Sequence, residues 1–167
     1  MRKVQRVAHL QNFALQEGSH VSEGEGQAMS EDFDERLRRQ IAERERGTWR
    51  EALRTSYAPW FDELDSGFQC GDGWSELLIG LMAEIANIVG GPDVTPDINV
   101  VQVKQKLGGL RCYVWDVPET LRDAVGEAVW RARDRSLTVC ETCGGLGRMR
   151  KSREGYWHVA CDEHAIP

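Results

Sequence analysis

Residues 98–117 read INVVQVKQKLGGLRCYVWDV, and this stretch decides the fold. Two runs with strand-like alternation, Ile98–Leu107 and Leu110–Val117, flank Gly108-Gly109, a pair able to supply the positive φ angles of a tight hairpin. Pairing Leu107 with Leu110 sets the register. It puts Val101, Val103 and Leu107 on one face with Leu110, Cys112 and Val114. The opposite face then carries Gln102, Lys104 and Lys106 across from Trp115, Tyr113 and Arg111. One face is core and the other is basic and aromatic.

Helical patterns lie on both sides of this hairpin. Upstream, Trp74, Leu77, Leu78, Leu81, Met82, Ile85, Ile88 and Val89 form a wide apolar stripe that ends at Gly90-Gly91-Pro92, which predicts the main core helix. Earlier, Phe33, Leu37 and Ile41 share a face over residues 31–46, with Ser30 as N-cap and acidic residues in the first turn. Thr48 and Glu51 predict a capping box for a second helix carrying Trp49 and Leu53, which Pro59 stops, leaving Trp60 and Phe61 to plug the core. Downstream, Asp116, Pro118 and Glu119 predict the start of a helix over 117–136 that buries Leu121, Ala124, Val125, Ala128 and Val129. The expectation is an α+β fold, with helices packed on a small antiparallel hairpin or sheet.

The chain ends in Cys140-x2-Cys143-x17-Cys161-x2-His164. Two short chelating turns separated by a hairpin-length spacer suit one tetrahedral ion, because each turn supplies two ligands. The pattern predicts a zinc-ribbon-like module over 140–167 holding one structural Zn2+, since three thiolates and a histidine leave no position for water. Gly144 and Gly145 favour a turn whose N–H groups approach sulfur, and Tyr156, Trp157 and Val159 lead into the second pair as a short strand. Cys70 and Cys112 remain, too few for a disulfide framework, and both are expected to be reduced.

At 167 residues the chain fits one domain with a small appendage. The expected organisation is a disordered extension over 1–28, a core over 29–139 and the zinc module. The Ser/Glu/Gly run from Gly18 to Gly26 carries little apolar content, so either Met1 or Met29 can serve as the start. No apolar run reaches the ~20 residues that cross a bilayer, and Gln11, Asn12, Gln16 and Glu17 break up any secretory leader, which predicts a cytoplasmic protein with no membrane partner. The net charge of −6 is uneven: residues 61–97 hold eight carboxylates and no Lys or Arg, whereas 98–117 hold Lys104, Lys106 and Arg111 against Asp116.

Two surfaces are candidates for contact. Cations interleaved with aromatics on the hairpin (Lys104, Lys106, Arg111, Tyr113, Trp115) can anchor a protein interface or stack bases, although Lys104 lying over Tyr113 and a helix over Trp115 would serve structure alone. Arg148, Arg150, Lys151 and Arg153, between the ligand pairs, are candidate phosphate contacts, or a solvated loop balanced by Glu141, Glu154, Asp162 and Glu163. No P-loop, GxGxxG after a strand, GxSxG or HExxH occurs, so no catalytic residue is assigned. Cys70, beside a helix start that could stabilise a thiolate, is the one candidate nucleophile, and a packed small side chain is the competing reading.

The string from Val101 to Tyr113, with the Gly73-Trp74 helix start, Cys-x2-Cys-Gly and Cys161-Asp-Glu-His164-Ala, resembles a family of small phage and prophage proteins with a KxKxGGLRxY-like hairpin and a C-terminal zinc knuckle. The resemblance covers roughly residues 70–167, and Cys112 and Leu107 stand where the family would lead one to expect aromatics. It implies a phage context and no settled activity. The functional expectation is a non-enzymatic, zinc-stabilised accessory protein that binds a host protein, with a defence component as one candidate. The alternative is a nucleic-acid-binding module that uses the hairpin and the zinc-finger tip.

Overall fold

The structure, a computed structural model, describes residues 35–90 and 98–166. The expected 1–28 extension, the Ser30 cap, Phe33 and the carboxylates of Asp93 and Asp97 lie outside the described residues. Residues 35–167 group as one compact unit. Its described elements are a helix α1 (35–45), α2 (Trp49–Ser56), strand β1 (Phe68–Gln69), α3 (Ser75–Val89), β2 (Asn99–Lys106), β3 (Gly109–Trp115), α4 (Arg122–Ser136), β4 (Arg148–Lys151) and β5 (Trp157–Ala160). Four described helices on sheets of three and two strands make the class α+β, with the cysteine cluster at the C-terminal end.

The core helix forms where its apolar stripe requires. Leu77, Leu78, Leu81, Met82, Ile85, Ala86 and Val89 are buried, and α3 is capped at Gly90. A short 3-10 turn over Asp72–Trp74 leads into it, and Trp74 is fully buried. Thr48 caps α2 by accepting the Arg50 N–H, while Glu51 reaches back to the Gly47 N–H, one residue before the expected partner. Trp60 and Phe61 plug the core as expected. Of the face expected on α1, Ile41 is buried but Leu37 is exposed, and the other buried position of the helix is Glu45. Glu45 accepts from Arg54 Nε at 2.8 Å and from the Phe68 N–H at 3.0 Å, so a buried charge satisfied on both oxygens ties α1, α2 and β1 together.

The hairpin exists, but its register differs from the expected one. The closing pair is Lys106 with Gly109, and the two turn residues are Leu107 (φ 55°) and Gly108 (φ 78°). Positive φ at both positions is what a two-residue loop requires to match strand twist. A leucine in that region costs about 1–2 kcal/mol, and Leu107, expected in the core, is 65% exposed. Gly109 serves the strand instead: a Cβ there would meet Leu137 of the segment after α4 at 3.2 Å. A bulge between Val100 and Gln102 then buries Val100, whereas Val101 is only half-buried. Val103 opposite Cys112 remains core, and Lys104 stands opposite Arg111 rather than Tyr113, which faces Gln102.

Two further elements depart from expectation. β1 adds to β2 in parallel, pairing Phe68 with Val103 and Gln69 with Lys104, so the sheet order is β1-β2-β3. The last long helix begins later than expected, at Arg122 after a 3-10 turn over Glu119–Leu121, with no side-chain cap from Asp116 or Glu119. Its buried stripe is Val125, Ala128, Ala132 and Ser136, and Ala124 is exposed. Ser136 Oγ accepts the Leu110 N–H at 2.9 Å, which joins the helix end to the outer side of β3.

Candidate metal centre

Cys140 and Cys143 lie on a tight turn after α4, held by Cys140 N–H to the Gly145 carbonyl at 2.7 Å and Gly144 N–H to the Cys140 carbonyl at 2.9 Å. Cys161 and His164 follow β5, which pairs antiparallel with β4. The four ligand atoms all lie within 4.8 Å of one another, and none of the cysteines is in a disulfide. Cys143 and Cys161 sulfurs are 3.9 Å apart, and His164 Nδ1 is 3.9 Å from Cys140 Sγ and 3.1 Å from Cys161 Sγ. A tetrahedral ion with bonds of about 2.3 Å to sulfur has sulfur–sulfur edges of about 3.8 Å, so the cluster fits a four-coordinate metal ion held wholly by protein ligands.

The backbone of the two turns favours the Cys140 thiolate. Burial alone would push the Cys140 thiol up, but N–H groups of Cys161, Cys143 and Thr142 aimed at its sulfur outweigh it and bring it down to about 6. The Gly145 N–H makes the corresponding contact to Cys143, the interaction that Gly144-Gly145 suggested, but the neighbouring Cys140 and Cys161 sulfurs together with burial leave that thiol above its usual range.

The turn carrying Cys161 and His164 is clamped from outside. Arg148 donates to Asp162 at 2.8 Å, and Arg150 donates both to the same carboxylate oxygen and, through Nε, to the Ala160 carbonyl at 3.0 Å. The Arg150 and Arg148 guanidiniums hold the Asp162 carboxyl below the usual carboxylate range. Two of the four cations considered as phosphate contacts are thus bound to the metal turn, while Lys151 sits 5.5 Å over the Trp157 ring.

The first metal turn is seated directly on the core. Gly73 N–H donates to the Glu141 carbonyl at 2.8 Å, Gly71 N–H to Glu141 Oε1 at 3.0 Å, and the Trp74 indole to the Val139 carbonyl at 3.0 Å. Burial lifts the Glu141 carboxyl above its usual range even with the Gly71 N–H donating to it. A methyl on Gly73 would overlap the Cys140 carbonyl and come within 2.7 Å of the Cys143 nitrogen, and one on Gly71 would lie 2.9 Å from Glu141 Cγ. Sequence reasoning read Gly71-Asp72-Gly73-Trp74 only as a helix start. The signal for more was two glycines one residue apart, a pattern of close backbone approach.

A methyl added to Gly80, in the middle of α3, would meet nothing within 4 Å. Gly80→Ala is therefore expected to stabilise the chain by about 0.5–1 kcal/mol through backbone entropy, and Gly73→Ala to destabilise it by about 1–3 kcal/mol through overlap. Thermal melts of the two variants check this. Equal melting temperatures would mean that the metal turn is not seated where described.

The same segment decides the chemistry of Cys70. Burial pushes its thiol up to about 12, the nearby Arg50 offsetting this only in part, so the thiolate a nucleophile needs is scarce at neutral pH. Cys112, fully inside the sheet, is raised to about 12 by burial as well.

The hairpin residues are brought together as expected. Lys104 and Arg111 form a cross-strand pair, with Lys106, Tyr113 and Trp115 exposed around them, and Trp115 is 59% exposed with no helix over it among the described residues. None of Lys104, Lys106, Arg111 or Lys151 has a carboxylate partner among the described residues, whereas Arg38, Arg50, Arg54 and Arg131 all do. No described helix is long and apolar enough to cross a membrane. No protein-family model, curated protein or solved structure matches the chain.

Proposed function

We propose that this chain is a non-enzymatic binding protein that holds its shape with one structural zinc ion and grips an acidic protein surface with the outer face of its β2–β3 hairpin. Zinc is the ion best suited to three thiolates and an imidazole in a closed tetrahedral set. The observation that carries the binding reading is the clustering on one hairpin face of three cations without carboxylate partners among the described residues, Lys104, Lys106 and Arg111, beside exposed Tyr113 and Trp115. Exposed aromatics next to uncompensated charge are what interface anchors look like, and fold stability gains little from either. Nucleic acid fits less well, because Arg148 and Arg150 are bound to Asp162 and the chain carries a net charge of −6. In the phage setting that the sequence resemblance suggests, the partner is a host protein in the cytoplasm, and a defence component is one candidate.

Tagged wild-type protein is expected to capture a discrete protein from a nuclease-treated bacterial lysate. The Lys104→Glu/Lys106→Glu double variant should lose that protein while melting within a few degrees of wild type. Capture abolished by nuclease, with affinity falling steeply as salt rises, would replace this reading with nucleic-acid binding. Capture unaffected by the double reversal would remove the hairpin face from it.

A further inference from the structure

The hairpin tip carries a feature that the outer face does not explain. Leu107 holds a backbone conformation that L-residues with bulky side chains avoid, and it projects an aliphatic side chain into solvent. Asparagine or glycine would make the same turn without strain. Backbone strain kept where folding does not need it marks positions under another requirement.

The surroundings of Leu107 extend the apolar surface. Its neighbour Gly108 lies against the Met149 thioether, so closely that a methyl there would come within 2.7 Å of Met149 Cε. Met149 and Trp157 lie on the same side of the β4–β5 pair, as Met149 faces Val159 and Lys151 faces Trp157 two positions on. Both are exposed, and the Trp157 carbonyl accepts from the Gln105 amide, which fixes β5 to the hairpin. Exposed Met149 and Trp157 thus adjoin the hairpin tip that carries exposed Leu107, and the junction of the two sheets presents an apolar surface. Its cations, Lys106 beside Leu107 and Lys151 over the Trp157 ring, have no carboxylate partner among the described residues. Arg153 and Glu154, in the β4–β5 turn, offset each other in charge.

We infer that the hairpin tip is a second docking point, at which Leu107, Met149 and Trp157 receive bulky apolar side chains of an acidic protein segment whose carboxylates meet Lys106 and Lys151. The charge sets the partner's chemistry: an apolar patch rimmed by uncompensated ammonium groups favours a segment in which Asp or Glu flanks aliphatic or aromatic residues. A thioether and an indole suit such a segment because both adapt to varied apolar shapes. This inference rests on the reading of the chain as a protein-binding protein, and it concerns a patch that adjoins the outer hairpin face at Lys106 but does not include Tyr113 or Trp115.

The test uses the full-length, metal-loaded chain and a displayed library of random 16-residue peptides. Selection is expected to enrich peptides in which carboxylates flank bulky apolar residues. Leu107→Asn should weaken their binding at least tenfold while its melting temperature equals or exceeds that of wild type, because Asn-Gly makes the preferred turn. That opposition in sign separates a docking role from a structural one. Lys151→Glu should also weaken binding, and Trp115→Ser should leave it unchanged. Enrichment of no acidic–apolar class, or peptides that bind Leu107→Asn as well as wild type, overturns the inference. Peptides that respond to Trp115→Ser but not to Leu107→Asn overturn it while leaving the outer hairpin face standing as the binding surface.

Discussion

Cys161→Ser, or removal of the metal by a chelator, is expected to unfold far more than the 28 residues around the ion. Structural zinc contributes on the order of 10 kcal/mol in small finger peptides, against a total stability of about 5–15 kcal/mol for a domain. If the metal module were an appendage, the rest of the chain would survive its loss. Here the module is bonded to the core at Gly71, Gly73 and Trp74, the last of these fully buried at the head of the core helix. Losing the turn removes three hydrogen bonds, each contributing about 0.5–1.5 kcal/mol, and uncovers the Trp74 side chain, which costs about 1.5–3 kcal/mol more. Far-UV circular dichroism should show a fall in melting temperature of more than about 10 °C, with loss of α3 signal as well as of β4–β5. A metal-free chain that keeps its helical signal and its melting temperature would show that the seat described here does not carry the fold.

Val103→Asp is expected to be the most damaging single change in the sheet. Val103 is fully buried, with Phe68 beside it on β1 and Cys112 opposite on β3. An unpaired carboxylate there costs several kcal/mol, enough to unfold a typical domain. Lys104→Glu, one residue on, should be tolerated within about 1 kcal/mol, since it points to the other face and gains Arg111 as a cross-strand partner. The bulge adds a second contrast: Val100→Asp should match Val103→Asp, and Val101→Asp should fall well short of it. Urea denaturation curves rank the four. If Val101→Asp unfolds the chain and Val100→Asp does not, the strand pairs without the bulge.

These contrasts mark where the sequence could be read. The period-2 pattern announced the hairpin and its two faces, and the wide stripe announced α3, because in each case many side chains repeat one instruction. The turn was harder. Leu107-Gly108 and Gly108-Gly109 compete for it, and local preference favours two glycines. A distant residue also bears on Gly109: a Cβ there would come within 3.2 Å of the Leu137 side chain, a tight contact that no local pattern announces. β1 has only two residues, too short for any period to show, and its pairing depends on Phe68 finding β2. Glu45 reads as one more charge on a polar helix face until Arg54 and the Phe68 N–H close around it. The metal ligands were the most legible part of the chain, since their chemistry and spacing are local. The surface on which they sit, 65–70 residues away at Gly71–Trp74, was not.

That separation also orders events in time. The four ligands span 25 positions, from Cys140 to His164, so an ion can gather them from an unfolded chain at modest loop-closure cost. The contact from Gly73 to Glu141 closes a loop nearly three times as long. The metal turn is thus the cheaper structure to make first, and once made it offers Gly71–Trp74 a ready surface to find. Refolding in the presence of the ion should accordingly be faster as well as more complete, with the rate rising as free metal rises until the ligands are saturated.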